Sequence, residues 1–238
     1  MRTRSSGSFW LQNASMPLII INIIVFVLQI MFQPWFTESF LLVSSEVLSR
    51  PWILLTSMFL HGSSMHLLFN MYALLIFGPL IESRIGSKRF VFIYFLSGII
   101  AALSSVFFYD RVLGASGAIM GIIGVTIMLM PHLRVLLFFV IPMSLRTAGI
   151  IFALVDIMGI FTMSGIANIA HLAGLCCGLG FGYYLLKKKR KFSEGFSNTT
   201  YRKSSHPKYS KYTNRDRGSK SIEMSKEEIE NYLRYGRL

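Results

Sequence analysis

The chain has 238 residues, 53% of them hydrophobic, with a formal charge of +13; that apolar share alone is ordinary for soluble domains. Its distribution is not: from Pro17 to Leu186 only twelve side chains are charged, and all but Asp156 cluster between long apolar runs, which excludes an ordinary soluble domain and points to a polytopic membrane protein. Nor does the charge point to nucleic acid, because Lys187–Leu238 alone carries 15 Lys/Arg against 6 Asp/Glu, and nothing else resembles a nucleic-acid module.

Residues 1–16 form a short N-terminus with Arg2 and Arg4, followed by the apolar run of a first span, Pro17–Phe32. No small-residue cleavage site follows it, so we expect an uncleaved span rather than a signal peptide. The long connection 33–63 contains Pro51-Trp52-Ile53-Leu54-Leu55 and Met58-Phe59-Leu60, a composition expected to lie partly in the outer leaflet. Further spans are predicted at Ser64–Ile81, Phe90–Phe108, Ser116–Met130, Thr147–Phe161 and Ile166–Leu186. The fourth, about 22 Å long at 1.5 Å per residue, is short against a hydrocarbon core of about 30 Å. The backbone before Ser116 is therefore expected to dip below the surface beside a wet cavity.

Residues 135–141, Val-Leu-Leu-Phe-Phe-Val-Ile, end at Pro142 and are too short to span, which suits an interfacial piece. Cys176 and Cys177 are neighbours on a predicted helix and imply no disulfide framework. The membrane domain so drawn is 17–187: an all-α, six-helix bundle. Residues 188–238 form a basic tail expected to lie on anionic lipid headgroups. Most of it, 193–221, is too polar to bury a core, with a short helix signalled by the capping box Ser225-Lys226-Glu227-Glu228 and by Gly236. Cationic residues gather on one side of the six spans, which places both termini in the cytoplasm of a multi-pass cell-membrane protein.

Two groups in this block carry chemistry. Ser116 lies in Gly114-Ala115-Ser116-Gly117 at the head of the fourth span, and His171 lies near the start of the sixth. Gly117, Gly121 and Gly124 form a small-residue stripe beside the serine; Gly174, Gly178 and Gly182 form another beside the histidine. Such stripes let membrane helices approach closely, which would bring Ser116 within reach of His171 as nucleophile and base. The same features admit a plainer account, with glycines for packing, Ser116 as a helix cap and His171 as a structural hydrogen-bonder.

On the second span His66 and Asn70, four apart, share a face near His61 and could donate to a developing oxyanion with the Ser116 amide. A metal site built from His61, His66 and His171 is an alternative, though no His-Glu-x-x-His pattern is present. No third member of a triad is evident. Asp156, the one mid-span acid, could orient a partner but reads foremost as a buried hydrogen-bonding group at a helix junction, and Glu82 reads as structural.

Taken together, Gly114-Ala115-Ser116-Gly117, His66-Leu67-Leu68-Phe69-Asn70 and Ala170-His171-Leu172-Ala173-Gly174 with Gly178 resemble the rhomboid family of intramembrane serine proteases, in its small six-span prokaryotic form. The likeness covers about residues 45–187. It implies a Ser116–His171 dyad, with His66, Asn70 and the Ser116 amide as the oxyanion site, and no metal or cofactor. It also implies cleavage of membrane-anchored proteins near the external end of their spans. Two positions depart from the family pattern: Pro51 separates Arg50 from Trp52, and Met120 stands where well-known members carry an aromatic residue. A catalytically silent relative and a transporter with Asp156, His66 and His171 as a proton path remain as other classes. No inverted repeat supports the transporter.

Overall fold

A computed structural model describes residues 14–137, 140–162 and 166–200, with the helical backbone alone over 190–200. Six main helices occur in chain order: α1 Ser15–Met31, α2 Ser64–Ile85, α3 Ser87–Ser105, α4 Ser116–Leu129, α5 Leu145–Ile160 and α6 Asn168–Thr200. Ser64–Ile85, Ser87–Ser105 and Asn168–Lys189 are long and apolar enough to cross a membrane, while α1 and α4 are apolar but shorter. Residues up to Tyr184 form one compact unit; Leu185–Leu238 is assigned to a second, described only as helix to Thr200. The start of the segment expected to be too polar to bury a core is helical in its backbone from residue 193 through Thr200. The expected capping box at Ser225 and the stop at Gly236 lie outside the described residues.

The burial pattern is that of a protein whose solvent is lipid. On α1 the residues turned inward include Ser15, Asn22 and Gln29, spaced by seven, while Ile20, Ile23, Ile24, Val27 and Ile30 face out. In water that distribution would be reversed; in hydrocarbon the polar groups must find partners inside. Gln29 does so by two specific bonds. Gln29 Nε2 donates to the His61 carbonyl at 3.1 Å and Gln29 Oε1 accepts the His61 N–H at 3.0 Å, clamping α1 to the segment before α2. At the other end Glu82, itself buried, accepts the N–H groups of Ala14 and Ser15 and so caps α1. This is a multi-pass membrane protein.

At the centre stands α4, where every residue from Gly117 to Thr126 is buried. Its glycines explain how neighbours come so close. A Cβ on Gly117 would lie 2.4 Å from Ala101 Cβ, and one on Gly121 2.0 Å from Ser97 Oγ, so α3 packs directly on the α4 backbone. On the opposite seam a Cβ on Gly174 would meet the Gly117 carbonyl oxygen at 2.0 Å, and one on Gly178 the Gly121 carbonyl oxygen at 1.9 Å. Those four glycines are what let the α4 and α6 backbones touch.

The helical fold class holds, with two additions that the sequence did not signal. Leu42–Val43 (β1) pairs antiparallel with Arg111–Val112 (β2), and a Glu38–Arg111 ion pair reinforces this join. With Leu42, Ile53 and Ala102 buried beneath it, the pairing ties the long 33–63 connection to the loop that leads into Ser116. Arg134–Leu137 (β3) pairs antiparallel with Ile141–Ser144 (β4), with Leu136 opposite Pro142. The segment predicted as an interfacial piece therefore has its own ladder, because a short β-branched and aromatic run can satisfy its backbone by folding on itself.

Candidate active site

The position of Ser116 decides between a capping and a chemical role. The N-cap of α4 is Ala115, which supplies no side-chain bond, and Ser116 is the first helical residue. Its hydroxyl is directed instead at His171, with Oγ 2.8 Å from Nε2 across 55 residues of sequence. Both side chains are partly exposed rather than sealed. The first intrahelical bond runs from the Ile119 N–H to the Ala115 carbonyl at 3.0 Å. The amides of Ser116, Gly117 and Ala118 therefore precede the ladder, at the positive end of the helix dipole.

Gly114 shapes the approach. Its φ of +123° is a conformation that side chains rarely adopt, and its N–H is held by the Ser57 carbonyl at 2.9 Å. A Cβ there would lie 2.7 Å from His66 Cε1 and 2.9 Å from His66 Nε2, and 3.8 Å from Ser116 Oγ. The His66 ring thus rests on the bare glycine beside the serine. His66 Nδ1 accepts the Gly62 N–H at 3.4 Å, so the neutral ring carries its proton on Nε2. Ser63 caps α2 by accepting the His66 N–H at 3.1 Å. Asn70 is buried one turn on, and its Nδ2 donates to the His66 carbonyl at 2.9 Å, which occupies one of two amide hydrogens.

His61 does not join these groups as a reacting partner. Its ring is 1% exposed, edge-on to His66 with centroids 5.1 Å apart, and it lies ahead of α2, outside the helices. Burial, then the neighbouring His66, pushes this imidazole down from its ordinary value to about 4, against a smaller opposing effect of a backbone hydrogen bond at Phe59. The unfolded chain would take up a proton near pH 6.5 and the folded chain only near pH 4, so stability falls as pH drops through that window. The full effect is about 3 kcal/mol. His61→Phe is expected to flatten this acid sensitivity, read as the difference in melting temperature between pH 7 and pH 5 in detergent. An unchanged difference would mean that His61 is not the group responsible.

Of the residues predicted to carry chemistry, Ser116 of α4 and His171 of α6 are in contact and the His66 ring of α2 lies against Gly114, while Asn70 of α2 bonds to the His66 carbonyl. The sequence reads Asp156 foremost as a junction hydrogen bond, with orienting a catalytic partner as the lesser alternative. In the structure its Oδ1 lies 2.9 Å from His171 Nδ1, with the two side chains 9% and 20% exposed. Tyr109 went unnoticed: its hydroxyl oxygen accepts the Ile169 N–H at 3.2 Å, holding the first turn of α6 two residues before His171. A single acid within an apolar helix was the available signal for the first; nothing in the sequence marks the second.

A sequence model of the Rhomboid domain matches residues 48–188. The chain is 29% identical over 187 residues to RHOMBOID-like protein 6, mitochondrial, of Arabidopsis thaliana, covering 71% of this chain and 59% of that protein. It is 34% identical over 145 residues to the putative rhomboid protease YdcA of Bacillus subtilis, covering 59% of this chain and 70% of the relative. To the rhomboid protease GluP of the same organism it is 37% identical over 132 residues, 53% of this chain but 24% of the relative. The matched part thus ranges from about a quarter to about two thirds of these relatives.

Proposed function

Because the chain belongs to the rhomboid family, we propose that it is a serine-type intramembrane endopeptidase that cuts membrane-anchored proteins near the external end of their transmembrane segments. The observation that carries this reading is the 2.8 Å contact between Ser116 Oγ and His171 Nε2. Ser116 is the nucleophile, and His171 takes its proton during attack and returns it to the leaving amine. Water then hydrolyses the acyl-enzyme. The uncapped start of α4 and the Nε2–H of His66 supply donors for the oxyanion, and Asn70 adds a third after a small reorientation. The protein sits in the cell membrane with both termini cytoplasmic, its basic tail on anionic headgroups.

A serine-directed fluorophosphonate tests the assignment directly. Wild-type protein in detergent is expected to be labelled, and Ser116→Ala and His171→Ala to remain unlabelled at equal folded concentration. Labelling of Ser116→Ala at the wild-type rate would remove the nucleophile from the scheme. Among the donors, Asn70→Ala is expected to lower kcat about 10²- to 10³-fold with a smaller change in KM, measured by cleavage of a reconstituted transmembrane substrate.

A further inference from the structure

We propose that Asp156 is a positioning residue of the reaction, holding His171 in the tautomer and orientation that accept a proton from Ser116. The proposal rests on the protease reading above and extends the two-residue scheme to a relay of three, Asp156–His171–Ser116. Its basis is a chain of two short contacts: Asp156 Oδ1 to His171 Nδ1 at 2.9 Å, and His171 Nε2 to Ser116 Oγ at 2.8 Å. A carboxylate can only accept, so the imidazole proton is held on Nδ1 and the lone pair is left on Nε2, facing the hydroxyl.

The packing of α5 on α6 fixes this alignment. Gly159 lies three residues after Asp156, and Asn168 three residues before His171. A Cβ on Gly159 would fall 2.6 Å from both Asn168 Nδ2 and Asn168 Oδ1, so the Asn168 side chain packs directly on the α5 backbone there. The Asn168 amide is anchored by donation to the Ile166 carbonyl at 3.1 Å. One turn away, on the same sides of the same helices, the acid faces the histidine. A carboxylate inside an apolar helix is costly without a compensating partner, and His171 is the partner it has.

During attack the serine proton passes to Nε2 as the bond from Oγ to the carbonyl carbon forms. The resulting imidazolium keeps its Nδ1 proton and is stabilised by the adjacent carboxylate, which takes up no proton itself. When the carbon–nitrogen bond breaks, the Nε2 proton moves to the leaving amine. Asparagine at 156 preserves the shape but offers an N–H that can pair with Nδ1, which would place the ring proton on Nε2 and block acceptance from serine.

The experiment compares full-length wild type, Ser116→Ala, Asp156→Asn, His171→Ala and Asp156→Asn/His171→Ala, reconstituted with a transmembrane substrate. Expected is a fall in kcat for Asp156→Asn of about 10²- to 10⁴-fold, with KM within twofold and an unchanged melting temperature. The double variant should be no slower than His171→Ala, since residues acting as a unit are not additive. A purely structural carboxylate would instead lower stability, and its effect would add to that of His171→Ala. Asp156→Asn retaining kcat within threefold of wild type, or full additivity in the double variant, overturns the proposal. Cleavage by Ser116→Ala at the wild-type rate would overturn the underlying protease reading instead. If Asp156→Asn does not fold, Asp156→Ala with sodium formate decides: at least tenfold rescue of kcat supports a carboxylate acting on His171, and no rescue rejects it.

Discussion

Ser116→Ala and His171→Ala are each expected to lower turnover of a transmembrane substrate by about 10⁴- to 10⁶-fold, and the double variant to be no slower than either alone. The magnitude follows from what each group contributes. Without the hydroxyl there is no acyl-enzyme, and any residual reaction requires direct attack by water held near the oxyanion donors. Without the imidazole the hydroxyl keeps its proton at neutral pH and is a weak nucleophile. The two losses remove the same step, so they cannot multiply. Single-turnover cleavage in proteoliposomes, scored on a gel, measures both values. Two large losses that multiply in the double variant would mean that Ser116 and His171 act in separate steps, against the 2.8 Å contact that joins them.

The helices were legible because their apolar runs are long. α2 opens at Ser64 as expected but runs to Ile85, four residues past the expected end at Ile81, where Gly86 closes it with a φ of +84°, and Ser116 opens α4 as the glycine motif suggested. The pairing of α4 with α6 was legible for a related reason: glycine at spacings of three and four has one common use in a membrane helix. The contact of Asp156 with His171 had no such signal. It depends on the angle at which α5 returns to α6, which no local pattern encodes, and an acid in a span is equally consistent with a structural bond. The two-residue pairing of Leu42–Val43 with Arg111–Val112 is too short to leave a periodicity. The pairing of Arg134–Leu137 with Ile141–Ser144 was hidden by the ambiguity of a short apolar run, which fits a strand as readily as an interfacial helix. What escaped the sequence is therefore long-range registry, and the active site is where registry matters most.

The glycine seam makes that dependence measurable without touching a reacting group. Gly174→Ala places a methyl group 2.0 Å from the Gly117 carbonyl oxygen. The obstacle is backbone, so no rotamer change relieves it and α6 must move away from α4. Ser116 directly precedes Gly117, and His171 is one turn before Gly174, so the separation falls on the catalytic contact itself. A displacement near 1 Å can cost about 10²-fold in rate, and overpacking of this kind typically costs about 1–3 kcal/mol in stability. Gly180→Ala is the matched control on the same helix, because a Cβ there meets nothing within 4 Å. That variant should be neutral or slightly stabilising, since alanine favours helix over glycine by about 1 kcal/mol. The expected result is that Gly174→Ala loses at least about 10²-fold in kcat and melts at a lower temperature, whereas Gly180→Ala matches wild type in both. Equal activity in the two variants would mean that the backbone contact at Gly117 does not set the spacing of serine and histidine, and the reach between them would then have to be fixed by the loops at Gly114 and Tyr109.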